Sequence, residues 1–213
     1  MVIRVLDQCL KASAHRVIVA TDSEEVAQCV EGFGYEAIMT RSDHVSGTDR
    51  LAEAAARLHI PDDDIVVNVQ GDEPFVKKEP LEKLIEVFKD PKVEVASLMQ
   101  TLTQPHLIAD PNYVKAAIDK NANALFFSRS VIPYARNTEI AITYFEHIGV
   151  YAFKKQALLQ FTQWPITPLE AAEKIECLRY LENGVPIKMV LTQYMGIEID
   201  TPEDLVKAAQ LLK

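Results

Sequence analysis

Residues 64–74 of the chain, DIVVNVQGDEP, decide the fold class. The first six residues are mostly apolar and rich in Val and Ile, which is typical of a strand buried on both faces of a sheet. The polar turn from Gln70 to Pro74 follows directly. Ligands of open α/β sheets bind beyond the carboxyl ends of the strands, so Asp72 is predicted to face a ligand crevice. A turn-forming aspartate without a ligand explains the same pattern equally well.

Strands and helices alternate on both sides of this stretch. Apolar runs predict strands at 16–20, 36–40, 64–69 and 93–99, and helical spacing predicts helices at 2–12, 24–34, 49–59 and 79–88. Asp22 or Ser23 is predicted to cap the second helix, and Thr48 the third. Strands that alternate with helices of about 10–15 residues indicate βαβ crossovers and a mostly parallel sheet, hence an α/β fold.

The segment at about 105–165 interrupts this alternation. Two apolar runs, 114–119 and 125–128, flank a polar turn and predict a β-hairpin, and 147–153 predicts a further strand. We interpret the segment as an insertion or edge layer within one domain. The remaining elements are predicted helices at 155–162 and 169–182, strands at 186–191 and 197–200, and a final helix that begins at Thr201.

Composition and charge exclude several classes of protein. The 213 residues carry a formal net charge of -9, which repels a nucleic-acid backbone. No apolar run reaches transmembrane length, and the three cysteines lack metal-site spacing, so we expect a protein of the cytoplasm. The motifs GxGxxG, GxxxxGK[ST], HExxH and GxSxG are absent, which argues against Rossmann dehydrogenases, P-loop NTPases, zincins and α/β-hydrolases.

Two aspartates at predicted strand ends could share a metal ion. Asp200 ends the strand at 197–200, as Asp72 follows the strand at 64–69. Mg²⁺ takes one or two protein carboxylates together with substrate phosphates. Helix capping by Thr201 accounts for the neighbouring residues but leaves Asp200 unexplained. The pair therefore favours a magnesium site if the two strands lie close together in the sheet.

Two further groups of polar residues could bind a ligand. The loop at 40–50 contains Arg41 and Gly47 before a helix, which suits an anion or a polar base, although a capped helix with charged neighbours explains it too. Arg129 follows the hairpin, and His147 and Tyr151 alternate on one strand face, where they could hold a carboxylate and hydroxyls, or simply lie in the core.

Six stretches together resemble one family. They occur in order along the chain and are TRSDHVSGTDRLAE, NVQGDEP, FFSRSVIP, HIGVYAF, WPITPLEAAEKIECLRYLENG and IDTPEDL. In combination they resemble the 3-deoxy-D-manno-octulosonate (Kdo) cytidylyltransferases, the CMP-Kdo synthetases of lipopolysaccharide synthesis. This resemblance implies a nucleotide-diphospho-sugar transferase fold, a dimerising insertion, and the reaction of CTP with Kdo to CMP-Kdo and pyrophosphate in the presence of Mg²⁺.

The resemblance also implies roles for residues. Asp72 and Asp200 would be catalytic and bind magnesium. The nucleotide side would be formed by Arg41, Ser46, Gly47, Thr48 and Gln70. The sugar-acid pocket would be lined by Arg129, His147, Tyr151, Glu170 and Glu173. The implied partners are CTP, a 3-deoxy sugar acid and a second copy of the chain, with neither nucleic acid nor a membrane.

The family normally opens with a strand and a basic, glycine-containing loop that grips the triphosphate. This sequence begins at the helix that follows that loop, so we interpret residues 1–213 as a single nucleotidyltransferase domain without those two elements. The segment at about 105–165 would be its dimerisation and sugar-binding layer. The alternatives are a cytidylyltransferase for another sugar acid, such as sialic acid, and a remnant without turnover.

Overall fold

The computed structural model describes residues 1–193, Val206 and Ala208. The helices are α1 (Val2–Cys9), α2 (Glu24–Gly32), α3 (Gly47–Arg57), α4 (Lys78–Glu86), α5 (Pro105–Ala109), α6 (Lys155–Phe161), α7 (Pro168–Glu173) and α8 (Leu178–Glu182), with a 3₁₀ turn at Val87–Lys89. The strands are β1 (Val19–Thr21), β2 (Ala37–Met39), β3 (Ile65–Asn68), β4 (Val95–Leu102), β5 (Lys115–Ile118), β6 (Ala124–Ser128), β7 (Tyr144–Lys154) and β8 (Ile187–Leu191). The predicted strand at 197–200 and the predicted start of the final helix at Thr201 lie outside the described residues, whereas Val206 and Ala208 are helical, as predicted.

The eight strands of the described residues form two sheets. β1 and β2 pair in parallel, and the other six strands form one mixed sheet in the order β6-β5-β7-β4-β8, with β3 also on β7. β7 runs antiparallel to β3, β4 and β5, while β4 and β8 are parallel. Consequently β3, β4, β5 and β8 share one direction. The mixed α/β sheet agrees with the prediction, although the insertion of β7 makes most direct pairings antiparallel.

The predicted hairpin is present as β5 and β6. The two strands pair antiparallel, and the Asp119 carboxylate accepts hydrogen bonds from the backbone N–H groups of Asn121 and Asn123 at 2.8 and 2.7 Å. Ala122 adopts a φ of 58° in this turn. Because β5 pairs with β7, the segment at 105–165 contributes three strands to the same sheet as β3 and β4.

Helices cover both faces of the large sheet, as the apolar strands predicted. Alternate residues of a strand point to opposite faces, so Val95 and Met99 join one core cluster and Ala96 and Leu98 the other. The first cluster includes residues of α3, α6 and α8, and the second includes residues of α1 and α4. No helix among the described residues is long and apolar enough to cross a membrane.

The prediction of a single helix at 169–182 is wrong, because the structure contains two helices there, α7 and α8. Lys174 takes a left-handed conformation with a φ of 56°, which ends α7. The break lets Arg179 turn back onto Glu170, nine residues earlier. In a continuous helix those residues would stand about 13.5 Å apart along the axis, at 1.5 Å per residue. The ion pair between Arg179 and Glu170 therefore depends on the break, which helical periodicity alone could not indicate.

Candidate functional site

The end of β3 and the middle of β7 bring several predicted residues together. Asn68 pairs with Tyr151, so the turn that follows β3 passes over the preceding part of β7. A side chain at Gly149 would place its Cβ 3.2 Å from Nε2 of Gln70. Glycine at this position lets Gln70 approach the β7 backbone closely. The predicted nucleotide-side residue Gln70 thus lies beside the strand that carries His147 and Tyr151.

His147 and Tyr151 lie in a row of aromatic rings. The His147 ring is 4.6 Å from the Phe127 ring and 5.3 Å from the Tyr151 ring, measured between centroids. Burial lowers the pKa of His147 to about 4 and raises that of Tyr151 well above its ordinary value. Both side chains are therefore neutral at pH 7. His147 is half-buried, whereas Tyr151 is almost fully buried, and its hydroxyl contacts Cys177.

Arg129 lies beside Glu173, whose carboxylate holds the backbone at the end of β6. The Glu173 carboxylate accepts hydrogen bonds from the Ser128 hydroxyl at 2.6 Å and from the Arg129 backbone N–H at 2.9 Å. The Arg129 guanidinium donates to the carbonyls of Glu173 and Pro111 at 2.7 and 3.0 Å. Two predicted pocket residues, Arg129 and Glu173, are thus in contact. Glu173 holds the backbone from which the Arg129 guanidinium extends.

Lys115 is a further cation near Arg129 and Glu173 that the sequence analysis missed. Its side chain is fully buried, and its ammonium donates to the carbonyls of Asp110 and Tyr113 at 2.8 and 2.6 Å. Burial lowers its pKa, and nearby carboxylates, including that of Glu173, oppose this effect. The signal in the sequence was a lysine inside an otherwise apolar strand. Lys115 and Arg129 together hold the loop at 110–113 through its carbonyls.

Glu170 stands apart from this arrangement. It is buried, and its carboxylate accepts two hydrogen bonds from Arg179, at 2.7 and 2.5 Å, and one from the Thr167 N–H at 3.2 Å. Arg179 also lies 3.9 Å above the Phe161 ring. A carboxylate engaged in this way has little capacity left for a sugar hydroxyl. The structure therefore favours a structural role for Glu170 over the predicted contact with the sugar acid.

The loop before α3 contains the other predicted nucleotide-side residues. Ser46, rather than the predicted Thr48, caps the helix: its hydroxyl accepts from the Asp49 N–H at 3.2 Å. Thr48 is buried and donates to the Glu176 carboxylate at 2.9 Å. Gly47 begins the helix, and Arg41 is exposed beside Asp43. Through Thr48 and Glu176 this loop is joined to the segment between α7 and α8.

Glu53 of α3 anchors the same loop. Its carboxylate accepts hydrogen bonds from the Arg41 N–H at 3.1 Å and from Arg57 at 3.3 Å, and it contacts Nε2 of His44 at 2.5 Å. The bond from the Arg41 N–H, followed by that from His44, lowers the pKa of Glu53 to about 2. The folded state therefore stabilises the charged form of the Glu53 carboxylate.

Replacement of Glu53 by Gln is expected to lower the melting temperature at pH 7. A depressed pKa stabilises the folded state above the ordinary pKa of 4.5, and this contribution disappears as pH falls towards about 2. The difference in melting temperature between wild type and Glu53→Gln should therefore shrink over that range in calorimetric scans. Glu31→Gln, exposed on α2, is the control and should change little. A difference that stays constant down to pH 2 would contradict this account.

Of the two predicted metal ligands, Asp72 and Asp200, the structure describes only Asp72. Asp72 is half-buried in the turn after β3, close to Gln70 in the chain, whereas Asp200 lies outside the described residues. Within the described part of the chain, no three His, Cys, Asp or Glu side chains are grouped as a metal site would require. The hard oxygen atoms of Asp72 are of the type that Mg²⁺ prefers. The predicted pairing with Asp200 stays a prediction.

Comparison with known proteins identifies the family of the chain. A family model described as cytidylyltransferase matches residues 1–190. A relative from Flavobacterium johnsoniae, named 3-deoxy-manno-octulosonate cytidylyltransferase, is 52% identical over 200 residues, which cover 92% of this chain and 81% of the relative. One of the same name from Acaryochloris marina is 48% identical over 192 residues, which cover 90% and 77% of the two chains.

Two solved structures are similar in fold. CMP:2-keto-3-deoxy-manno-octonic acid synthetase, in complex with CTP, superposes with a TM-score of 0.93 at 38% identity, covering 99% of this chain and 86% of that one. The 4-diphosphocytidyl-2C-methyl-D-erythritol synthase of Anaerococcus prevotii has a TM-score of 0.62 at 15% identity, with 99% and 88% coverage, and shares the fold alone. The first match confirms the predicted α/β fold of the nucleotidyltransferase type.

Proposed function

The chain belongs to the 3-deoxy-manno-octulosonate cytidylyltransferase family, and on that premise we propose that it transfers a cytidylyl group from CTP to 3-deoxy-D-manno-octulosonate. The products are CMP-Kdo and pyrophosphate, and the activity belongs to lipopolysaccharide synthesis. The observation that carries the proposal is the 52% identity to a relative of that name over 200 residues. The contact of the Gln70 turn with β7 supports it, because it joins the predicted nucleotide and sugar sides.

The reaction is a substitution at the α-phosphorus of CTP. The anomeric hydroxyl oxygen of Kdo forms the new bond to phosphorus, the bond to the bridging oxygen of the β-phosphate breaks, and the hydroxyl proton is released. Transfers of this kind depend on the alignment of the reactants and on neutralised charge more than on covalent chemistry with the protein. The task of the chain is therefore to hold the two substrates in line and to balance their negative charge.

The described residues divide this task between two sides. Arg41, Ser46, Gly47, Thr48 and Gln70 belong to the nucleotide side in the proposal. On the sugar side, Arg129 is the cation for the Kdo carboxylate, since its guanidinium can form two parallel hydrogen bonds with it. Glu173 acts by holding the backbone of Arg129. His147 is neutral at pH 7 because burial lowers its pKa to about 4, so it is suited to hydroxyls rather than to a carboxylate.

Magnesium is proposed as the metal cofactor. Asp72 would hold it, together with Asp200 and oxygen atoms of the triphosphate, and the bound ion would neutralise phosphate charge. The support is the chemistry of the carboxylate donor at the end of β3. In this proposal Arg41 adds positive charge on the nucleotide side, and Arg129 adds it on the sugar side.

We also propose a homodimer in the cytoplasm. The dimer is implied by family resemblance, and exposed apolar side chains in the segment at 105–165, including Leu125, Tyr134 and Ile140, support it. Three free cysteines are usual in a reducing compartment. Sedimentation velocity would measure the assembly, and a monomer at micromolar concentration would contradict the dimer.

The function is tested by the release of pyrophosphate from CTP. We expect release to require Kdo and Mg²⁺ together, and the product to be CMP-Kdo by mass spectrometry. Sialic acid in place of Kdo is the control for the sugar acid, and omission of the metal is the control for magnesium. No release with Kdo, or faster release with sialic acid than with Kdo, would contradict the proposed function.

A further inference from the structure

Ser97 lies at the centre of β4, opposite an irregularity in β7. Ser97 pairs with Tyr151, whereas the next residue, Leu98, pairs with Ile148, so β7 contains additional residues at this point. The side chain of Ser97 is fully buried. Its hydroxyl oxygen lies 3.1 Å from the carbonyl oxygens of both Ile148 and Val150. Bulges of this kind are frequent next to active sites, where they redirect side chains.

The same hydroxyl contacts His147. Its oxygen is 3.0 Å from Nε2 of the imidazole. Ser97 thus has three neighbours at hydrogen-bond distance, two of which are carbonyl oxygens that can only accept. Within the described part of the chain, this contact is the single side-chain hydrogen bond of the His147 ring.

A count of protons decides the tautomer of His147. The Ser97 hydroxyl has one proton, and the carbonyl oxygens of Ile148 and Val150, both 3.1 Å away, can only accept it. If that proton points towards the carbonyls, the hydroxyl oxygen accepts a hydrogen bond from Nε2–H. If it pointed to His147 instead, the hydroxyl would make one hydrogen bond, to Nε2, and none to either carbonyl. The first arrangement satisfies more groups.

We propose that Ser97 is a positioning residue of the sugar-acid site, whose hydroxyl fixes His147 as the Nε2–H tautomer and leaves Nδ1 as an acceptor for a hydroxyl of the sugar. The inference rests on the proposed function for the identity of that ligand. The aromatic rings of Phe127 and Tyr151 both pack against the imidazole, with centroids 4.6 and 5.3 Å away, and so limit its rotation. Ser97 therefore determines which nitrogen of His147 carries the proton, and the two aromatic rings limit the rotation of the imidazole.

In this arrangement, His147 and Arg129 bind different groups of the sugar acid. A neutral imidazole with an unprotonated Nδ1 accepts a hydrogen bond and carries no charge, so it discriminates in favour of hydroxyl groups. The carboxylate of the sugar acid is left to Arg129, whose backbone Glu173 holds in place. A ligand without the hydroxyl that faces His147 would leave Nδ1 without a donor, which is how a polar site rejects an analogue.

Nitrogen-15 NMR of the enzyme labelled at histidine tests the tautomer directly. The chain has five histidines, and a His147→Gln variant identifies the signal of interest. In the wild-type enzyme at pH 7, we expect Nε2 to carry the proton and Nδ1 to be unprotonated. In Ser97→Ala, we expect a mixture of tautomers, and in Ser97→Thr, which keeps the hydroxyl, the wild-type pattern.

Kinetics provide the second measurement. Loss of one net hydrogen bond of roughly 1 kcal/mol corresponds to a rise of about 5-fold in the KM for Kdo in Ser97→Ala, with the KM for CTP unchanged. A wild-type imidazole protonated on Nδ1, or on both nitrogens, overturns the proposal. So does a Ser97→Ala variant with altered kinetics and an unchanged tautomer. Failure of the proposed function would appear separately, as wild-type enzyme that releases no pyrophosphate with Kdo.

Discussion

Replacement of Glu170 by Gln is expected to destabilise the fold by about 3–5 kcal/mol, because it leaves the Arg179 guanidinium buried without a counter-charge. Glu170 and Arg179 are both buried, and two hydrogen bonds join the guanidinium to the carboxylate. The pair holds α7 against α8 where the chain turns back at Lys174. Urea unfolding, followed by circular dichroism, measures the change. Typical domains are stable by about 5–15 kcal/mol, so such a loss is a large fraction of the total.

A double variant separates the buried charge from other effects. Glu170→Met combined with Arg179→Met removes both charges and should recover most of the stability, because apolar residues often replace a buried ion pair at little cost. If Glu170→Gln instead unfolded like wild type and raised the KM for Kdo, the residue would belong to the sugar-acid pocket, as the family resemblance implied. The unfolding measurement and the KM therefore distinguish the two roles.

Replacement of Asp72 by Asn is expected to lower kcat/KM by on the order of 10³-fold, since several kcal/mol of charge stabilisation at the phosphates would be lost. The carboxylate lies in the turn directly after β3, beside the Gln70 turn that contacts β7. Asparagine keeps the shape of the side chain and removes its charge. Calorimetric titration of CTP in the presence of Mg²⁺ should show the loss of the metal-dependent part of binding.

Asp63→Asn is the matched control for Asp72. Asp63 is exposed near the opposite end of β3, so its replacement makes the same change of charge away from the crevice. We expect that variant to retain wild-type kcat/KM, and both variants to unfold at wild-type urea concentrations. A folded Asp72→Asn enzyme with more than about a tenth of wild-type activity would contradict the role given to Asp72, since one metal contact is worth several kcal/mol.

The individual elements of this protein follow from local sequence. Apolar runs such as 64–69 and the spacing of apolar residues at 2–12 produce strands and helices close to the predicted bounds. The polar turn of the hairpin was also predicted from local sequence, and in the structure the Asp119 carboxylate closes it. These features depend on residues that are neighbours in the chain, so burial periodicity and backbone preferences suffice to predict them.

Pairings between distant segments required the tertiary structure. The helix predicted at 169–182 fails because Arg179 and Glu170 pair across a break, and periodicity cannot report the partner of a charged residue. The buried Lys115 was missed for a different reason: its acceptors, the carbonyls of Asp110 and Tyr113, are only five and two residues away, but backbone carbonyls belong to every residue type and leave no pattern in the sequence.

By itself, the sequence determined the α/β class, the family and the residues at the strand ends. Only the folded chain decided that β7 lies between β3 and β4, which places Ser97 against His147 and the Gln70 turn against Gly149. It also joined Thr48 to Glu176, which are 128 positions apart in the chain. The physical reason is that one sequence is compatible with many strand orders, and the choice among them comes from burying apolar faces and satisfying polar groups over the whole molecule at once.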